Sequence, residues 1–249
     1  MHKIPKSHPR YQSLVTRARI SDALKQGIVH ETGLIAHGRG EAFDYLFGET
    51  TIPPADVAEK VAAAALLCAK NPVISINGNV AALAADECIS LAKNIPAVLE
   101  VNLFHRTPQR VKKIAALLQK KGAGALYGVH PDARIPGLDS DRALCEKEGI
   151  FTADVVLVPL EDGDRCQALQ RMGKTVIAID LNPLSRTAQS ATITIVDNVT
   201  RALPQIERWI CSLRKTTQSD LEKIVRTWDN QKNLGKIMCF LSKRLNSLC

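Results

Sequence analysis

The chain has 249 residues, 45% of them hydrophobic and 23% charged, which is long enough to bury a sizeable core and too apolar to remain disordered. Its net charge of +8 suits anionic partners such as nucleotides, phosphorylated metabolites or nucleic acid, but an aromatic content of only 4% offers little for stacking single-stranded bases. The seven cysteines make no C-x-x-C pair and no secretory or membrane-spanning apolar run is visible, so free thiols in a cytoplasmic protein, with no membrane partner, are expected.

Residues 1–10, with two prolines and two histidines, read as an extended arm. Helical spacing of Leu14, Ala18, Ile20 and Leu24 predicts a helix over 13–29, carrying Arg17 and Arg19. Next comes Gly33-Leu-Ile-Ala-His-Gly-Arg-Gly-Glu-Ala-Phe-Asp44, with Arg39 between two glycines, His37 before it and Glu41 and Asp44 after. Glycines let backbone approach a ligand closely, and a guanidinium can grip an anion as a fork. The bland alternative is a surface turn, and the third glycine of a dinucleotide fingerprint is missing.

An alanine-rich helix is predicted over 56–70, after Pro53-Pro54. A strand at 72–77 runs through Asn77-Gly78-Asn79 into a helix at 81–94. Free N–H groups at such a helix start can cradle an anion, although Asn79 could serve only as the N-cap. A strand at 97–103 ends near Glu100, Asn102, His105 and Arg106, and Thr107-Pro108 opens a basic helix over 109–121. A short strand at 125–129 precedes a loop at 130–141, where two prolines and a glycine mark the expected mobile segment. The apolar strand at 154–160 leads into Glu161, Asp162, Gly163, Asp164 and Arg165. These carboxylates could hold Mg²⁺ through water or favour the helix start that follows, which runs to 172.

The stretch 174–204 carries the clearest signal. A β-branched strand at 175–179 is followed at once by Asp180, Leu181, Asn182, Ser185, Arg186 and Thr187. A second strand at 192–196 ends in Asp197, Asn198, Val199 and Thr200. Ligands of open parallel sheets sit outside the carboxyl ends of the strands, so the two polar ends read as a ligand site. The competing reading makes Ser185 and Asn198 helix caps and Arg186 a solvated loop charge. A helix over 198–213 and a long basic amphipathic helix over 219–248 close the chain, the latter with an apolar stripe including Trp228 and Phe240 suited to packing or subunit contact. Strands alternating with helices predict an α/β fold. We expect one Rossmann-like, doubly wound, mostly parallel sheet at 71–204 with helical extensions at 1–70 and 205–249.

Six stretches in this order carry a resemblance. They are Ile4-Pro-Lys-Ser-His-Pro-Arg-Tyr11, the 33–44 segment, Asn71-Pro-Val-Ile-Ser-Ile-Asn-Gly-Asn-Val80, Glu100-Val-Asn-Leu-Phe104, Pro159-Leu-Glu-Asp-Gly-Asp-Arg165 and Asp180-Leu-Asn-Pro-Leu-Ser-Arg-Thr-Ala-Gln189. With them the chain resembles the archaeal 4-phosphopantoate–β-alanine ligase (phosphopantothenate synthetase) family over nearly its whole length. The resemblance implies a homodimer that joins 4-phosphopantoate to β-alanine with ATP, giving 4-phosphopantothenate, AMP and pyrophosphate on the route to coenzyme A. It places ATP on Arg17, Arg39, Asp180, Leu181, Asn182, Arg186, Thr187 and the segment Asn198, Val199 and Thr200, with Mg²⁺ arriving on the ATP phosphates.

The chemistry suits the residues. Arg17, Arg39 and Arg186, with His37 as a further donor, can offset charge while a carboxylate attacks the α-phosphorus. Glu41, Glu161 and Asp164 can take the proton of the β-alanine amine. The Asn77-Gly78-Asn79 turn is our choice for the phosphate of phosphopantoate, and Arg165 joins the candidates at that end. A non-catalytic nucleotide- or nucleic-acid-binding protein is the alternative, which would show basic residues over one face and no converging polar strand ends.

Overall fold

The computed structural model describes residues 4–160 and 162–247. Three helices come first: α1 (Tyr11–Lys25), α2 (Glu31–Phe47) and α3 (Pro53–Cys68). Then strands and helices alternate: β1 (Pro72–Ile76), α4 (Gly78–Asn94), β2 (Val98–Val101), α5 (Pro108–Lys120) and β3 (Leu126–Tyr127). A small antiparallel pair, β4 (Ala133–Arg134) with β5 (Leu144–Cys145), precedes β6 (Val155–Pro159), α6 (Gly163–Arg171) and β7 (Thr175–Ile179). The chain continues through α7 (Arg186–Ser190), β8 (Ile193–Ile195), α8 (Val199–Leu213), α9 (Gln218–Arg226) and α10 (Asn230–Asn246).

Six strands form one parallel sheet in the order β3-β2-β1-β6-β7-β8. Because successive residues of a strand face opposite ways, Ile74, Leu157, Ile177 and Ile179 pack into one layer with α1, α3, α4, α5 and α8. Val73, Val156, Val158, Val176 and Ala178 pack into the other, with α6 and the β4–β5 region. Burial on both faces explains why these strands are continuous apolar runs. The expected doubly wound α/β architecture is therefore present, with helices at both ends of the chain. From β1 the chain winds outward to β2 and β3, then returns to place β6 on the other side of β1. Strand order thus reverses between β1 and β6, where open sheets present a crevice.

Three local expectations need correcting. The glycine-bearing stretch 33–44 is not a turn but lies inside helix α2, capped by His30, whose Nδ1 accepts the Thr32 N–H at 3.3 Å. Left-handed Gly48 ends it, with φ of 89°. Glycine inside a helix costs about 1 kcal/mol relative to alanine, but at position 33 there is no room for a side chain, because α2 lies directly on Asn79. At the start of α4 the cap is Asn77, whose side chain accepts the Val80 N–H, and not Asn79. The single C-terminal helix is two. Asp229 accepts the Lys232 N–H to start α10, while Trp228 Nε1 donates to the Thr192 carbonyl at 3.0 Å and Asn230 Oδ1 accepts the Thr194 N–H at 2.8 Å. The break lays the link between α9 and α10, with the start of α10, along β8 and satisfies its edge, while α9 packs on α3.

The apolar stripe of these helices is consequently spent within the chain. Leu221 is buried in the main core, with Trp228 packed against it, and Leu234, Ile237 and Leu241 are buried in a third cluster with Phe47 and Ile52. It leaves little surface for a partner. The 130–141 segment, expected to be mobile, is bonded to the chain that follows it: β4 within it pairs with β5, the Ile135 N–H donates to the Ala143 carbonyl at 2.8 Å, and Asp132 accepts the Lys147 N–H at 2.7 Å. The six described cysteines are free thiols, and among the described residues no helix is long and apolar enough to cross a membrane.

Candidate functional site

A cleft of about 350 Å³ opens at the carboxyl ends of β1, β2, β6, β7 and β8, with α2 as its far wall. Its floor is the strand-order reversal. Asn77, the last residue before α4, donates through Nδ2 to the Pro159 and Leu160 carbonyls at 3.1 and 2.9 Å, so its amide stitches β1 to β6. Gly78 follows as the first residue of α4, and a side chain there would come within 2.5 Å of both Arg110 Nη2 and the Ile28 carbonyl. The helix start can therefore carry only glycine and meets a guanidinium directly.

The α2 wall contributes Gly33, His37, Arg39, Gly40 and Glu41. Gly40 faces Leu181 across the cleft, and a Cβ there would make an ordinary contact with a Leu181 methyl at 3.4 Å. Asn79 donates to the Gly33 carbonyl at 2.8 Å and fixes the wall to α4. Glu41 accepts hydrogen bonds from Ser13 and Arg17. His37 Nε2 lies 4.0 Å from Glu41 Oε1, too far for a hydrogen bond, and this buried nitrogen has no hydrogen-bond partner among the described residues. Burial, with Arg17 adding to it and Glu41 opposing, pulls the His37 pKa below its usual value, so the ring is neutral near pH 7.

The opposite wall is cationic. Arg110 donates to the Ile28 and His105 carbonyls, and His105 stacks on His30 with centroids 3.8 Å apart. Arg142, just after the 130–141 segment, reaches in, bonding Asp162 Oδ2 at 2.8 Å and the Asn102 carbonyl at 2.7 Å. Burial, reinforced by the Arg142 charge, lowers the Arg110 pKa, and burial followed by His105 and Arg110 lowers that of His30.

The third side is the pair of polar strand ends. Asp180, whose pKa burial raises against hydrogen bonds from Ser185 and the Asn182 N–H and the charge of Arg39, accepts from both Ser185 Oγ and the Asn182 N–H. Ser185 in turn caps α7, Asn182 Oδ1 accepts the Leu184 N–H, and Asn198 caps α8. The side chains of this loop brace its own backbone, which leaves Leu181, Asn198 and Val199 as its share of the cleft lining.

The sequence-predicted residues thus divide. His37, Arg39, Glu41, Asn77, Gly78, Asn79, Leu181, Asn198 and Val199 meet in the cleft. Arg17 stands behind Glu41, where it also reaches Tyr45 Oη. Thr200 lines a neighbouring cavity of about 650 Å³, which shares Glu41 and Asn198 with the cleft. Thr187 is buried in α7. Arg186 pairs with Asp164, both about two-thirds exposed, outside the cleft lining. Arg165 does not reach the site: as part of α6 it is fully buried and donates to Ser75 Oγ at 3.2 Å. A helix starting at Gly163 turns its third residue under the sheet, which removes Arg165 from the candidates at the phosphate end. Glu161 lies outside the described residues. Asp162, one of the carboxylates read as a possible Mg²⁺ contact, does line the cleft, whereas His30, Arg110 and Arg142 were missed as site residues. In the sequence Arg110 is one more charge on a basic helix, and Arg142 lies just past the loop at 130–141, with no motif to single it out.

No group of three or more metal-ligating side chains occurs among the described residues. The cleft's carboxylates, Glu41 and Asp162, are each tied to an arginine. Such a donor set fits a cation brought in on phosphate oxygens better than one caged by protein.

Residues 54–244 match the family model described as phosphopantothenate/pantothenate synthetase. Over its full length the chain is 52% identical to a 4-phosphopantoate–β-alanine ligase of Thermococcus onnurineus, covering 95% of that protein. It is 51% identical over 248 residues to the protein of the same name from Methanosarcina mazei, covering 98% of it. Over 210 residues, 84% of this chain and 86% of the relative, it is 57% identical to that of Methanospirillum hungatei.

Proposed function

The chain belongs to the phosphopantothenate/pantothenate synthetase family, and from that premise we propose that it is an ATP-dependent ligase joining 4-phosphopantoate to β-alanine. The reaction would yield 4-phosphopantothenate, AMP and pyrophosphate, in coenzyme A biosynthesis. One observation carries the reading in the geometry. Arg39 on one wall and Arg110 and Arg142 on the other line the same cleft, so one space can hold two anions and screen each from the other.

ATP would lie along the Leu181 and Asn198 side, with Arg39 on its phosphates. The acid would lie across the start of α4, its phosphate towards Gly78 and Arg110. Its carboxylate attacks the α-phosphorus, forming the acyl-adenylate and releasing pyrophosphate. Mg²⁺ on the phosphates would lower the charge that repels this attack, with Asp162 or water as its contact on the protein side. The β-alanine amine then attacks the acyl carbon and expels AMP. Neutral His37, with its Nε2 unpartnered beside Glu41, is placed to take the amine proton, and Glu41 to stabilise the imidazolium that results. No described feature favours the alternative of a non-catalytic nucleotide- or nucleic-acid-binding protein.

A homodimer remains part of the proposal, through a different surface from the C-terminal stripe. Leu34, Ile35, Tyr45 and Leu46 are exposed along the outer side of α2. Ile35→Glu should dissociate a dimer in light scattering, and a wild-type monomer at micromolar concentration would refute it.

Incubation with ATP, Mg²⁺ and 4-phosphopantoate, with and without β-alanine, tests the reaction. AMP and pyrophosphate should form, with phosphopantothenate only when β-alanine is present. ADP and inorganic phosphate would replace the adenylate with an acyl-phosphate route.

A further inference from the structure

We propose that the stacked His30–His105 pair, held in place by Arg110, recognises the phosphate group of the acid substrate and separates the phosphorylated acid from its unphosphorylated form. This deepens the ligase reading and rests on it.

The two rings lie 3.8 Å apart at 17°, yet they come from loops 75 residues apart in sequence, before α2 and after β2. Arg110 brings those loops together. Its Nε donates to the Ile28 carbonyl and its Nη1 to the His105 carbonyl, each at 2.8 Å. Its Nη2 lies over the first residue of α4, within 2.5 Å of where a Gly78 Cβ would stand. A guanidinium, two imidazoles and a helix start therefore share one corner of the cleft.

The hydrogen-bonding state of the rings leaves donors unused. His30 Nδ1 accepts the Thr32 N–H, which in a neutral ring puts the proton on Nε2. The His105 ring rests on His30 and edge-on to Phe104, and the protein hydrogen bond at this residue is to its carbonyl. The nearby carboxylates do not compete for these donors, because Asp162 is bound to Arg142 and Glu31 acts on His30 only through its charge.

A phosphomonoester brings a charge of about −1.5 to −2 and three acceptor oxygens. That matches one guanidinium and two imidazole donors far better than a carboxylate does. A free hydroxyl in the same place would answer none of the charge and leave these donors unpaired.

The test uses His30→Asn, which keeps a good N-cap for α2, and His105→Asn, each checked by circular dichroism. Each should raise KM for 4-phosphopantoate about tenfold, the scale of one hydrogen bond to a charged group. KM for ATP and β-alanine should hold, and the preference for phosphorylated over unphosphorylated acid should narrow. Separately, titrating the wild-type protein with inorganic phosphate, without ATP, should shift the ¹⁵N imidazole resonances of both residues to saturation. Unchanged KM for the phosphorylated acid in both folded variants, a rise confined to KM for ATP, or unmoved imidazole resonances would each overturn the proposal. A wild-type protein that forms no AMP from ATP and the phosphorylated acid would instead defeat the ligase reading itself.

Discussion

Asn79 clamps α2 onto α4 by donating to the Gly33 carbonyl at 2.8 Å, and only because residue 33 has no side chain can its amide come so close. Since α2 carries His37, Arg39 and Glu41, this contact holds the catalytic wall against the start of α4, while Asp44 ties the same helix to Asn198 and Arg201. Gly33→Ala should push the wall away and lower kcat/KM by roughly tenfold to a hundredfold, the scale of a misplaced catalytic group. Asn79→Ala removes the atom in the way, so the double variant should lose less activity than the two single losses combined. Full additivity in a kinetic double-mutant cycle would show that the contact does not position the wall.

His37 is assigned to the second half-reaction, so the two halves should respond differently to its loss. His37→Gln should preserve ATP–pyrophosphate exchange driven by the acid while slowing amide formation by roughly 10²–10³-fold. The wild-type pKa is pulled below 6.5, mainly by burial. The base therefore stays neutral as the pH falls through 6.5 and fails only below, producing an acid limb in kcat that the variant should lack. Equal loss in exchange and ligation would remove His37 from proton transfer.

Arg186 pairs with Asp164 on the surface, and an exposed pair of this kind is worth about 0–1 kcal/mol. ATP phosphates can therefore draw the guanidinium away at little cost. Arg186→Ala should lower kcat/KM for ATP by about two orders of magnitude, and Arg186→Lys should recover only part of it, because lysine keeps the charge and loses the fork. Asp164→Asn frees the arginine and should leave KM for ATP unchanged or lower it. Normal kinetics in a folded Arg186→Ala protein would return the residue to a solvated loop charge.

Glu59 on α3 is fully buried, and burial, with the Asp197 and Asp56 charges adding to it, pushes its pKa up to about 9 from 4.5. The folded protein holds this proton more tightly than the unfolded chain. Its contribution to stability is complete below about pH 4.5, declines as pH rises, and is lost above about 9. The slope from this group is at most about 1.4 kcal/mol per pH unit. Glu59→Gln, which cannot ionise, should flatten the fall of Tm between pH 6 and 9 measured by thermal unfolding. The same fall in the variant would assign the pH dependence elsewhere.

Much of the fold was legible because its signals are local. The apolar runs at 155–159 and 175–179 needed no partner to be read as buried strands, and Thr107, Ser185 and Asn198 serve as caps to the helices that follow them. The end of the sheet at which the cleft opens also followed from the sequence, because polar residues there interrupt each apolar run. What the sequence left open was the fate of residues whose environment is made by distant segments. Arg165 and Arg186 look alike in the chain, yet packing buries one beneath the sheet and leaves the other in solvent. The glycines of 33–44 suggested a turn, but the segment is helical, and the reason for one of them, Gly33, is its close approach to Asn79 of α4, 46 residues away. Arg110 gains its role from carbonyls at Ile28 and His105, the first of them 82 residues away. The sequence by itself determined the strands, the caps and the polar edge, since these depend on neighbours along the chain. The tertiary structure alone decided which cations face one another across the cleft, since that depends on desolvation and on contacts closed only when the sheet is wound.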